Sequence, residues 1–165
     1  MKTLPMEPDL KLFIDDAVIT VFDTMLAMEL HPSNRGARFK PDETQVIGMV
    51  GIAGGVTAVL CLRVTQTFAY RITDAMMGLG PNTPPSENDV SDVIGELANI
   101  MAGKLKSCFR IPGQPCSLSL PTIVRGHSID MESMSGTERH SFTFYQGDEP
   151  VVAEFYWLNQ KGIKR

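Results

Sequence analysis

No run of about twenty apolar residues occurs in the 165-residue chain, so no membrane-spanning helix is expected. Clustered basic charge is missing too. Fifteen Lys and Arg against nineteen Asp and Glu leave a net charge of −4, and the one basic grouping, Lys161, Lys164 and Arg165, is a tail. Nucleic acid needs a basic surface, so it is not an expected partner, and neither is a membrane. The opening stretch, residues 1–9, lacks the apolar core of a secretory signal. Cysteine is scarce. Cys61, Cys108 and Cys116 show no C-x-x-C spacing, and an odd count in apolar surroundings fits reduced thiols and a cytoplasmic location. His31, His127 and His140 lie far apart, so no metal-ligand spacing emerges and no cofactor is expected in this chain.

Hydrophobic residues at 43% and charged residues at 21% are ordinary for a soluble globular protein, and the length suits one domain over residues 1–165. Apolar periodicity predicts a first helix over residues 10–30, broken by His31-Pro32-Ser33-Asn34-Arg35-Gly36. Two strands follow at 45–52 and 56–65, with Ala53-Gly54-Gly55 as a tight turn. A helix over 67–77 stops at Gly78-Leu79-Gly80-Pro81. After the linker Asn82-Thr83-Pro84-Pro85, Ser86 offers an N-cap to a long helix that ends near Phe109. Strands are then expected at 117–124, 141–145 and 151–158, the last two joined through Gln146-Gly147-Asp148-Glu149-Pro150. The order predicts an α+β fold, with helices packed on a mostly antiparallel sheet. The late strands carry apolar residues on both faces, which implies a sheet covered on both sides or paired at an edge.

The most informative stretch is the long helix over 88–109. At 3.6 residues per turn, Val90, Val93, Ile94, Leu97, Met101, Leu105 and Cys108 form one stripe for the core. Asp89, Asp92, Glu96, Asn99, Gly103 and Lys106 fall on the opposite side. Glu96 and Asn99 stand at i and i+3, so their side chains are neighbours. Gly95, Ala98 and Ala102 flank them. Each glycine inside a helix costs about 1 kcal/mol relative to alanine, which points to close approach by another backbone or a partner. A carboxylate and a carboxamide among small residues make a low ridge suited to meeting another molecule. Other constellations read more plainly. Gly48-x-x-Gly51-x-x-Gly54-Gly55 matches no phosphate-loop pattern and suits a hairpin. The many methionines on apolar stripes suit core filling. Ser117 and Ser119 alternate with Leu118 and Leu120, as on a half-exposed strand.

Ile94-Gly95-Glu96-Leu97-Ala98-Asn99-Ile100-Met101-Ala102-Gly103 resembles the E-x-x-N helix of the CheC, CheX and FliY phosphatase family of bacterial chemotaxis. The glycine-punctuated hairpin Gly48-Met49-Val50-Gly51-Ile52-Ala53-Gly54-Gly55 and the element order resemble that family as well. The first long helix, with Asp15, Asp16, Asp23 and Thr24, contains no second Glu-x-x-Asn, which favours the CheX type over the two-motif CheC type.

The resemblance implies a phosphatase acting on the aspartyl phosphate of a CheY-like response regulator, in chemotaxis or another two-component pathway. It implies that Asn99 orients the attacking water and that Glu96 docks the regulator through a lysine. An amide offers donor and acceptor without a charge to repel phosphoryl oxygens. Mg²⁺ is expected on the regulator. Asp92, Gly103 and Lys106, on the same face, are candidate docking positions. The resemblance also implies a homodimer formed through the sheet. The alternative is a non-catalytic module of the same fold that binds a receiver or a flagellar switch protein; a dimeric scaffold without a receiver partner is a third reading.

Overall fold

The computed structural model describes residues 7–109 and 111–158. The tail with Lys161, Lys164 and Arg165, and most of the opening stretch, lie outside the described residues. The elements run α1 (Glu7–Leu26), β1 (His31–Ser33), β2 (Gln45–Ala53), β3 (Ala58–Thr65), α2 (Gln66–Met77), α3 (Glu87–Cys108), β4 (Ser117–Leu118), β5 (Thr122–Gly126), β6 (Thr137–Gln146) and β7 (Glu149–Leu158). The sheet order is β1-β6-β7-β3-β2, with β4 and β5 sharing the far edge of β2, and every pairing is antiparallel. This is the α+β architecture that the element order predicts.

Side chains alternate across the sheet. Val46, Val50 and Ile52 of β2, Leu60, Leu62 and Val64 of β3, and Val151, Ala153 and Phe155 of β7 join Phe22, Phe68, Ile72, Ile94, Leu97 and Met101 in one core. Each such fully buried side chain contributes about 1.5–3 kcal/mol. The opposite face holds a smaller cluster of Ile47, Cys61 and Tyr156, against which Met49, Val124, Ile129 and Met131 pack. Of the late strands β7 is covered on both sides, through Phe155 on one and Tyr156 on the other, whereas β6 leaves Glu138, Arg139 and Ser141 exposed. Buried charge sits on this second face. Glu154 accepts hydrogen bonds from Arg63 at 3.3 Å and from Arg139. Burial pushes the Cys61 thiol and the Tyr156 hydroxyl each up to about 12, with Glu154 adding to both.

Beyond shifts of a few residues, among them β6 starting at Thr137 in place of Ser141 and β7 taking in Glu149 and Pro150 of the expected loop, three differences from the sequence expectation have a definite cause. The first helix ends at Leu26, four residues short of Leu30, because Ala27 takes φ 51°. The N–H groups of Ala27 and Met28 then donate to the carbonyls of Asp23 and Phe22 and close the last turn. An alanine in the left-handed region carries no sequence signal, since glycine or asparagine normally fills that place. His31-Pro32-Ser33, read as a break, pairs with Thr143–Tyr145 of β6 as an edge strand, where the missing N–H of Pro32 is tolerated. The strand expected at 117–124 is two strands. Ile52 pairs with Leu118, yet Met49 pairs with Thr122, so three residues on one strand oppose two on β2. That one-residue excess is a β-bulge at Ser119-Leu120-Pro121.

Candidate functional site

Helix α3 begins with a reciprocal cap. The Ser86 hydroxyl accepts from the Asp89 N–H at 3.1 Å and the Asp89 carboxylate accepts from the Ser86 N–H at 2.8 Å. The bond from the Ser86 N–H foremost, and a second from the Ser86 hydroxyl at 2.8 Å, hold the Asp89 carboxyl below its ordinary range. The helix then lies on β2 at Gly48. A Cβ there would stand 3.0 Å from the Ile94 carbonyl oxygen and 3.2 Å from the Ala98 Cβ. Close contact on this side leaves the opposite side of α3 to solvent. Arg125 of β5 donates to the Glu87 carbonyl and to the Ser91 hydroxyl, tying the sheet edge to the first turns of the helix.

The predicted stripe is buried as expected: Val90, Val93, Ile94, Leu97, Met101 and Leu105. Cys108 is the exception. It is exposed, and its thiol turns back to donate to the Lys104 carbonyl at 3.5 Å. On the far side Asp92 and Glu96 are exposed, and Asn99, Gly103 and Lys106 are half-buried. The structure thus brings the five predicted site residues onto one continuous helical face. Among the described residues, neither Glu96 nor Asn99 has a side-chain hydrogen bond or ion pair. A carboxylate and an amide with no internal partner are free to engage a visiting group. Among the described residues no group of three or more His, Cys, Asp or Glu is placed to hold a metal ion.

The bulge forms one wall of this face, which the sequence reading missed. Gly95, Asn99 and Gly103 follow one another at intervals of four and share a row. A Cβ on Gly95 would lie 3.2 Å from the Pro121 Cβ, and one on Gly103 would lie 4.0 Å from the Leu118 Cδ1. Eight helical residues rise about 12 Å. Three extended residues span about 10 Å. The segment Leu118–Pro121 therefore runs antiparallel to α3, with Pro121 at the Gly95 end of the row and Leu118 at the Gly103 end. Gly95 answers the question its helical position raised: it admits Pro121 of this same chain. Pro121, four residues after the expected strand start at Ser117 and two after Ser119, was the available signal for the bulge.

The model of the family described as "Chemotaxis phosphatase CheX" matches residues 46–145. That span includes the β2–β3 hairpin, α3 with Glu96 and Asn99, and the bulge. The chain belongs to the CheX family. Among curated relatives of this CheX-family chain, the CheY-P phosphatase CheX of Thermotoga maritima is 30% identical over 88 residues, 53% of this chain and 56% of that protein. The match thus spans just over half the relative's length. A CheX crystal structure from Vibrio vulnificus superposes with a TM-score of 0.75 at 20% identity, covering 94% of this chain and 99% of that one. The CheX-CheY-BeF3-Mg²⁺ complex of Borrelia burgdorferi gives a TM-score of 0.67 at 18% identity, covering 91% and 97%. These likenesses establish the fold. No described helix is long and apolar enough to cross a membrane.

Proposed function

We propose that this chain hydrolyses the aspartyl phosphate of a CheY-like response regulator, with Asn99 orienting the water and Glu96 docking the regulator. The observation that carries the reading is the outer side of α3, where a half-buried amide and an exposed carboxylate one turn apart have no partner among the described residues. The relative from Thermotoga maritima bears the name CheY-P phosphatase, and the Borrelia burgdorferi structure contains CheX together with CheY.

The chemistry asks little of the protein. An acyl phosphate is already labile, so positioning supplies most of the gain. The Asn99 carbonyl accepts a water O–H while its NH₂ donates to a phosphoryl oxygen or to the water. The water oxygen bonds to phosphorus, the bond from phosphorus to the aspartyl oxygen breaks, and orthophosphate leaves a free aspartate. Glutamine does comparable work in GTPases. Glu96 is repelled by phosphoryl charge and therefore serves better against a lysine of the regulator, in a charge-assisted hydrogen bond. Asp92, Gly103 and Lys106 extend the docking face. Mg²⁺ belongs on the regulator, where it neutralises phosphoryl oxygens. We place the reaction in the cytoplasm and the protein in a homodimer, which a doubled mass by light scattering at micromolar concentration would bear out.

The test is phosphate release from receiver domains charged with acetyl phosphate, with and without this chain. Stimulated release supports the enzyme; binding without release selects the non-catalytic module. Asn99→Ala should abolish stimulation with an unchanged melting profile. Wild-type turnover by that variant refutes the role of the amide.

A further inference from the structure

The bulge between β4 and β5 leaves a feature the hydrolytic chemistry does not use. Leu120 is 88% exposed. On a regular strand it would share the face of Leu118, which packs against the core. The extra residue of the bulge turns it outward instead, in the way bulges re-aim side chains beside functional sites. The turn is held on several sides. The Ser119 N–H donates to the Gly51 carbonyl at 2.9 Å. The Ser119 hydroxyl accepts from the Gly51 N–H at 2.8 Å and donates to the Leu120 carbonyl at 3.0 Å. Pro121 is fixed against Gly95. An apolar side chain is thus presented to water from a fixed backbone, between two residues, Leu118 and Pro121, that meet the α3 row carrying Asn99.

We propose that Leu120, projected by the Ser119-Leu120-Pro121 bulge beside Asn99, is an apolar anchor for the same receiver domain whose phosphoaspartate Asn99 meets. The inference rests on the phosphatase reading above. Its occupant follows from continuity. The segment that carries Leu120 meets α3 at Gly95 and at Gly103, one turn to either side of Asn99, so a body that brings a phosphoryl group to Asn99 is offered Leu120 on the adjoining surface. The receiver must then offer an apolar patch next to its phosphorylation site. Asp92 and Glu96, exposed beside that row on the same side of α3, complement its lysine. The division of labour is definite. Polar residues of α3 act on the phosphoryl group and its lysine, while Leu120 sets affinity and partner choice. Fixing Leu120 before docking saves the ordering cost that a flexible loop would carry.

The experiment uses the full chain with Leu120→Ser and Leu120→Met. Binding is titrated against a receiver charged with beryllium fluoride and Mg²⁺, and turnover is measured on the acetyl-phosphate-charged receiver. Leu120→Ser should raise Kd and KM roughly tenfold or more, the scale of removing a leucine from a desolvated interface. It should leave kcat and the melting temperature at wild-type values, and Leu120→Met should recover most of the affinity. Wild-type Kd and KM for Leu120→Ser overturn the anchor while leaving the phosphatase reading intact, since the parent chain still releases phosphate. A fall in kcat at constant KM also overturns it, because Leu120 would then be positioning Asn99. If the wild-type chain neither binds nor dephosphorylates the receiver, both proposals fall together.

Discussion

Replacing Glu154 by alanine should be among the most damaging single changes to the fold, for a reason read directly from the second face of the sheet. Glu154 is 2% exposed at its side chain and Arg63 is 9% exposed, whereas Arg139 is 41% exposed. Arg63 also donates to the Gln45 side-chain oxygen at 2.9 Å and to the Ile129 carbonyl at 3.0 Å. In Glu154→Ala the Arg63 guanidinium keeps those two neutral acceptors and loses its adjacent carboxylate. Arg139 can turn to water; Arg63 cannot. Leaving one buried charge uncompensated costs about 3–5 kcal/mol. At about 2.1 cal/mol/K per residue, unfolding of 165 residues carries ~0.35 kcal/mol/K, so the melting temperature should fall by about 9–14 °C. Urea titration should show a lower midpoint at unchanged slope. Arg139→Ala, a partly exposed partner, should cost about 1 kcal/mol or less. Arg63→Met combined with Glu154→Leu should recover most of the loss, because the penalty lies in the stranded charge and not in the missing attraction. A loss under about 1 kcal/mol for Glu154→Ala would refute the reasoning and show that Arg63 reaches solvent.

Three further outcomes are expected. Glu96→Ala should weaken binding to the charged receiver as well as slow its dephosphorylation; a normal titration curve would remove the docking role. Gly48→Val should destabilise by about 1–3 kcal/mol through overpacking, since even a Cβ meets the Ile94 carbonyl at 3.0 Å, and chemical denaturation measures it. Asp89 is held below its ordinary range by the cap bonds, so its contribution to stability should be complete at pH above the ordinary aspartate value and lost as pH falls through its depressed one. Acid titration of an Asp89→Asn variant against wild type should therefore converge at the acidic end, and parallel curves would contradict the cap.

The legible parts of this protein are those where side-chain type and spacing act locally. The stripe of α3 is an example: Val90, Val93, Ile94, Leu97, Met101 and Leu105 must share a side at 3.6 residues per turn, and they are buried. Ser86 announces its own helix, because a hydroxyl before Glu87 and Asp89 has an N–H to accept from. The unreadable parts depend on a neighbour distant in sequence. Leu120 matched the alternation of a buried strand position and lies in water, because the count of residues between Leu118 and Thr122 only acquires meaning against Met49 and Ile52. Ala27 ends α1 without the glycine that normally marks such a place.

Periodicity and residue chemistry alone determined that Glu96 and Asn99 share one helical face and that this face is not core, since those depend on the pitch of a helix and the hydration of polar groups. Tertiary structure decided what frames that face. It set Gly95 against Pro121, left Gly103 half-open beside Leu118, and turned Leu120 outward. Those outcomes follow from how β4 and β5 register against β2 and from how closely α3 settles on Gly48, which are distances between segments that no single segment encodes.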